Sequence, residues 1–264
     1  MSKTRSSNRR ANARERMRAE REREMQRALR RKRLGLTGGI AALLAAIVGI
    51  TISIQSDKAE DARPVIPPRG ATGDQDLVIA TGKADAPVTI QIYEDFRCPG
   101  CAQVEKEIGK AVHKLEDEGK LRVEYHLVSV VDQIFPGNGS KFAASAAASA
   151  QDAGKFREFH DVLFASQPAK EKDDKFGDKD VLLDLASKVK GLKTPEFVES
   201  VNTGKHETWV KKIQRTFDRQ TEVEQVTPTV ILNGKNLVAD RENLLTAERI
   251  TQLVNDAAEK SKKK

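Results

Sequence analysis

Cysteine is scarce in this chain, with two in 264 residues. Two allow one disulfide at most, which excludes a disulfide-stapled mini-protein and a zinc site built on three or four thiolates. Tryptophan occurs once and tyrosine twice. Long uncharged stretches are also lacking. Only residues 34–56 run without a charge, which excludes a multi-span membrane protein. No internal repeat is present. What remains is enough chain for one or two domains with a sizeable core. At 38% hydrophobic and 32% charged, part of it is expected to stay unpacked.

The charge is unevenly placed. Residues 1–33 hold 14 Lys/Arg against 4 Asp/Glu, and the other 231 residues carry 32 against 35. The excess of +7 is thus a property of the N-terminal segment. That segment has no aromatic residue, and a basic tail alone is a poor groove or strand reader, so no nucleic-acid partner is expected. Immediately after it, residues 34–54 read LGLTGGIAALLAAIVGITISI. Twenty-one residues at about 1.5 Å each span roughly 31 Å, the thickness of a bilayer's hydrocarbon core. A buried core helix and a cleaved signal peptide compete with this reading. The helix lacks an amphipathic pattern. The signal peptide is opposed by the long basic region, the long apolar run and the absence of an A-x-A-like site. The expectation is an uncleaved single-pass anchor in the cell membrane. The positive-inside rule puts residues 1–33 in the cytoplasm as a basic segment and the rest outside.

Residues 55–74 (QSDKAEDARPVIPPRGATGD) read as a linker, with Pro64, Pro67, Pro68 and Gly70 interrupting regular structure. Residues 75–264 are then the folded domain. Residues 77–80 and 88–93 are short β-rich runs, and residues 121–128 are a third. Val104, Ile108, Ala111, Val112 and Leu115 recur at helical spacing between the second and third. A long helical middle follows, with apolar stripes through Phe156, Phe159 and Leu163 and through Trp209, Ile213 and Phe217, read as core. Residues 229–232 and 237–238 flank Asn233-Gly234, the strongest short hairpin signal. Ala247, Ile250, Leu253, Val254 and Ala257 close the domain with an amphipathic helix.

Both cysteines fall in Cys98-Pro99-Gly100-Cys101, where a strand gives way to a helix. This spacing lets two thiols approach disulfide distance. The helix N-terminus offers free N–H groups and a positive dipole end, which favour thiolate at Cys98. Pro99 suits the first turn because its missing N–H costs nothing there. A purely structural disulfide closing so short a ring would constrain little chain entropy. Half of a metal site would need nitrogen from His113, His126, His160 or His206, none near the pair in sequence. A redox dithiol, with no metal and no cofactor, is the expected chemistry.

The stretch Tyr93-Glu94-Asp95-Phe96-Arg97-Cys98-Pro99-Gly100-Cys101, together with Val226-Thr227-Pro228-Thr229-Val230 before a hairpin, resembles the thioredoxin superfamily. The likeness is to membrane-anchored, DsbA-like thiol:disulfide oxidoreductases, and the arrangement is similar to actinobacterial members. The resemblance covers roughly residues 75–258. It implies an α/β thioredoxin-like fold with an inserted helical subdomain at about 136–222. It implies Cys98 and Cys101 as the catalytic pair. It also implies a cis Pro228 beside them, with Thr227 presenting its backbone to an extended substrate peptide. Relatives commonly hold a buried carboxylate six residues before the first cysteine, as proton acceptor for the second. That position is Ile92 here, and Glu94 or Asp95 is left to serve instead. The dipeptide Pro99-Gly100 also lacks the histidine of many strong oxidants.

The function this implies is introduction of disulfides into cysteine-containing exported proteins. Reoxidation would come from a membrane quinone-linked oxidase of the DsbB or vitamin-K-epoxide-reductase type. An anchored disulfide reductase or isomerase is the alternative enzyme. A non-catalytic chaperone or scaffold for exported chains is the alternative of another class.

Overall fold

A computed structural model describes residues 63–240 and 244–261. The basic segment 1–33, the expected membrane span 34–54 and the first part of the linker lie outside these. Among the described residues no helix is long and apolar enough to cross a membrane.

The core is a mixed five-stranded sheet, in the order β1-β3-β2-β4-β5. The strands are β1 (Ile79–Gly82), β2 (Val88–Glu94), β3 (Leu121–Leu127), β4 (Thr229–Leu232) and β5 (Lys235–Asn236). β2 and β3 run parallel from Val88 opposite Leu121 to Glu94 opposite Leu127. The helix α1 (Pro99–Asp117) joins them, because parallel neighbours need a crossover. β1 and β4 flank this pair antiparallel. β3 keeps the alternation read from its sequence, with Leu121, Val123, Tyr125 and Leu127 buried. β2 keeps it only to Ile92, and then Tyr93 and Glu94 are both buried. That end of the central strand is covered on both faces.

Strand 1 begins two residues later than the expected 77–80. Val78 instead pairs with Thr72 in an isolated bridge. At the hairpin, Asn233 and Gly234 both take positive φ, 52° and 78°. Such a two-residue turn forces pairing at once. Ile231 therefore meets Asn236 and Leu232 meets Lys235, so the strand expected at 237–238 sits at Lys235–Asn236. Leu237 still enters the core.

α1 buries Ile108, Val112 and Leu115 and half-buries Val104 and Ala111. Between β3 and β4 come α2 (Val130–Ile134), α3 (Gly139–Asp152), α4 (Phe156–Ala165), α5 (Lys179–Ala186), α6 (Pro195–Thr203) and α7 (Glu207–Phe217). This insertion starts one short helix before residue 136. α3 is buried nearly all round, its six buried alanines letting neighbours approach closely. The C-terminal α8 (Ala247–Ser261) packs along α1 through Ile250, Val254 and Ala258. From Arg63 onward the expected linker lies against the helical subdomain. Thr208 donates to the Pro64 carbonyl at 2.7 Å, His206 Nδ1 meets the Ile66 carbonyl at 2.8 Å, and Trp209 Nε1 donates to the Asp76 carbonyl at 2.7 Å.

Candidate active site

β2 ends at Glu94, and three residues carry the chain into Cys98, which caps α1. β4 runs antiparallel beside β2 with Tyr93 opposite Thr229. The residue before β4 therefore arrives at the same end of the sheet as the residue after β2. Thr227–Pro228 is a cis peptide bond. The Cys98 sulfur lies 3.5 Å from the Thr227 carbonyl. A Cβ on Gly100 would fall 2.9 Å from Pro228 Cδ. In the sequence Gly100 stood out only as a missing histidine; in the structure a Cβ there could be fitted only if the turn or the Pro228 loop shifted.

The two sulfurs differ sharply in environment. Cys98 is partly exposed and Cys101, one turn in, is 1% exposed. Both are free thiols. A hydrogen bond from the Cys101 thiol holds Cys98 down at about 6 against the opposing effect of burial. The Thr227 side chain and the backbone N–H groups of Cys101 and Gly100 add to this. Set against the ordinary thiol value of 9.0, at about 1.4 kcal/mol per pH unit, this favours the thiolate by roughly 4 kcal/mol at most. Burial pushes Cys101 well up, and the neighbouring Cys98 sulfur and Glu94 carboxylate push the same way. The Asp95 N–H reaches the Cys101 sulfur at 3.4 Å.

Glu94 and Asp95 are 1% and 0% exposed, a burial that alternation could not foresee. Burial pushes Asp95 up to about 7 against two backbone bonds. Its oxygens accept the N–H groups of Arg97 and Val131, both at 2.8 Å. The Asp95 carboxylate thus holds the active-site turn and the start of α2. Glu94 Oε1 is paired with His160 Nε2 of α4 at 2.7 Å, while Oε2 is buried with no hydrogen-bond partner among the described residues. Of the two acids left open by the sequence, Glu94 has the spare oxygen. Ile92, the position at which the resemblance implied an acid, is packed in the core.

Three supports were missed. Arg97 is fully buried between Asp132 at 2.6 Å and Asp174 at 3.1 Å, and these carboxylates also accept backbone N–H groups at the start of α3. Gln167 Nε2 donates to the carbonyls of Phe96 and Cys98 at 2.8 and 3.0 Å. In the sequence His160 was weighed only as a nitrogen for half of a metal site, and it lies on the apolar stripe of α4. Its i−4 and i+4 neighbours Phe156 and Phe164 do surround it, and a histidine on such a stripe was the available signal. Glu94, Glu105 and His160 offer donor atoms within 4.8 Å of one another, and within this group Glu94 Oε1 and His160 Nε2 are already bonded at 2.7 Å. The cysteines are in no such group among the described residues.

A reactive dithiol at a helix start, faced by a cis proline from a neighbouring strand, is the arrangement the sequence resemblance implied. The sequence profile of the thioredoxin family matches residues 75–256. The chain belongs to the thioredoxin family. Disulfide bond formation protein D of Bacillus subtilis is 30% identical over 158 residues, which cover 58% of this chain and 67% of that one. The oxidised structure of BdbD from Bacillus subtilis is 26% identical with a TM-score of 0.54, covering 68% of this chain and 92% of that one. The reduced disulfide bond oxidoreductase DsbG of Mycobacterium tuberculosis, 24% identical, shares the fold with a TM-score of 0.57 over 73% of this chain and 96% of that one. This member of the family is a DsbA-like thiol:disulfide oxidoreductase.

Proposed function

We propose that this oxidoreductase introduces disulfides into cysteine-containing exported proteins, from a domain held outside the cell membrane by residues 34–54. The single observation that carries the direction is the contrast at the dithiol, with Cys98 held near 6 and Cys101 pushed up by burial. Stabilising the thiolate stabilises the reduced enzyme, and that makes its disulfide oxidising. The placement is supported by the uncharged run behind Arg30-Arg31-Lys32-Arg33.

A substrate thiolate attacks Cys98 of the oxidised enzyme. The Cys98–Cys101 bond breaks, its electron pair goes to Cys101, and a mixed disulfide forms. Thr227, beside Cys98, holds the substrate backbone as an added strand next to Pro228. A second substrate thiolate then attacks its own sulfur in the mixed disulfide, and Cys98 leaves as the thiolate. Reoxidation falls to a membrane quinone-linked oxidase. Glu94 is the acid assigned to Cys101, and Asp95 is assigned to the architecture of the turn.

Trapping in cells tests this reading. Cys101→Ser should accumulate mixed disulfides with exported proteins, and Cys98→Ser should accumulate none. Alkaline phosphatase fused after residue 75 should be active. Trapping confined to cytoplasmic proteins, or an inactive fusion, would overturn the reading.

A further inference from the structure

The mechanism leaves a proton unaccounted for. When Cys101 is released, its sulfur is buried in a site that disfavours the anion, so a proton must reach it, and must leave again on reoxidation. Cys101 itself is 1% exposed. The interior route is occupied by an unusual set of groups. His160, 1% exposed, comes from the inserted subdomain to bond Glu94 of the central strand. Its other nitrogen, Nδ1, faces Asp161 at 3.8 Å. Phe96, Tyr125, Phe156 and Phe164 ring the imidazole. Glu105 of α1, one turn beyond Cys101, is the third member of the cluster. An open cleft of about 740 Å³ between α1 and α4 is lined by Glu105, His113 and Asp161. Glu94, whose charge is felt at Cys101, is thus joined through His160 to Asp161 and Glu105 at this cleft.

We propose that His160 is the positioning residue for the proton of Cys101: it holds Glu94 and a transferable proton in the interior, and Glu105 and Asp161 connect that proton with solvent in the α1–α4 cleft. This rests on the oxidoreductase reading above. In the oxidising direction, the electron pair of the broken disulfide stays on Cys101 sulfur, one proton passes to it from the Glu94–His160 pair, and the pair regains one from water through Glu105. On reoxidation the same proton leaves by the same route. Oε2 of Glu94 is buried without a hydrogen-bond partner among the described residues, and the Glu94 charge is felt at Cys101, so the transfer is assigned to this oxygen. Burial opposes a charged His160, but Glu94, Asp161 and Glu105 outweigh it and raise the imidazole well above its ordinary range. Burial likewise raises Glu105 to about 7, against the pull of His160. Both groups thus carry protons near neutrality. Among the described residues, the other ionisable groups facing His160 are His113 and Glu116 of α1 and Tyr125 of β3.

The test uses the full-length protein in detergent, in the wild type and in His160→Gln, Glu94→Gln and Glu105→Gln. Reduction of the oxidised enzyme by a two-cysteine peptide is followed from pH 5 to 9. Iodoacetamide alkylation of Cys98 is followed in parallel on the reduced enzyme. His160→Gln should slow reduction at pH 7 by at least about tenfold and change the shape of the pH–rate profile. Glu94→Gln should do the same, with no further loss in the double variant. The alkylation midpoint near pH 6 should not move, which separates proton supply from a disturbed fold. A wild-type profile in His160→Gln would overturn the proposal, as would a loss of rate accompanied by a shifted alkylation midpoint. If His160→Gln does not fold, Glu105→Gln decides, because it must alter the same limb of the profile and an unaltered profile overturns the route. A wild type without exchange activity would overturn the functional reading as well, whereas an active wild type matched by its variants would overturn this proposal alone.

Discussion

At the scale of single residues, the site depends on one small side chain and one ionised one. Gly100 faces Pro228 so closely that a Cβ would sit 2.9 Å from a ring carbon, and a proline ring cannot swing aside. Gly100→Ala should therefore displace the proline loop. It should cost about 1–3 kcal/mol, read from urea unfolding, and lower exchange activity in parallel. Unchanged stability and activity would contradict the close approach. Cys98 makes a second prediction. Its folded value near 6 lies below the unfolded thiol's, so the thiolate's contribution to the reduced fold is complete above the unfolded value and fades as pH falls through about 6. The stability advantage of reduced wild type over Cys98→Ala should thus be larger at pH 9 than at pH 5, and an advantage independent of pH would contradict it. The cysteine pair was legible in sequence because a strand-to-helix junction is local. The roles of Glu94 and Asp95 were not, because both lie where the central strand passes under the helical subdomain, and only that packing decides which oxygen stays unpaired.

At the scale of elements, local patterns carried the strands, α1, α8 and the hairpin. Period-two alternation, helical spacing and Asn233-Gly234 all act within a few residues of one another. Pairings across long sequence separations carried the rest of the site. His160 reaches Glu94 over 66 positions, and Arg97 reaches Asp132 and Asp174 across the insertion. No periodicity encodes such a contact. Arg97 clamps the active-site turn to the start of α3 while fully buried. Removing it leaves two carboxylates short of their cation, and breaking a buried pair this way costs about 3–5 kcal/mol. Arg97→Ala should show a loss of that order in denaturant unfolding. Arg97→Met paired with Asp132→Asn should recover part of it. A loss below about 1 kcal/mol would place the pair among weak surface bridges instead.

At the scale of the whole molecule, the segment from Arg63 is irregular yet bonded to the insertion at Pro64, Ile66 and Asp76. Proline and polar composition marked it as a linker, and composition gave no sign of the partners waiting on α7. A chain begun at residue 75 loses the first two of these bonds, along with the contact of the Arg69 N–H with Asp152. At about 1 kcal/mol per bond, it should unfold at lower urea concentration than a chain begun at residue 63. Equal midpoints would show that the segment contributes nothing.

If the unequal pair of thiols makes this domain an oxidant, as proposed, the reduction potential of the Cys98–Cys101 couple must show it. Equilibration with glutathione, followed by quantifying the two redox forms, gives that potential. The expected value is displaced from thioredoxin's, about −270 mV, toward DsbA's, about −120 mV. A value at or below about −270 mV would contradict it and make the domain a reductant.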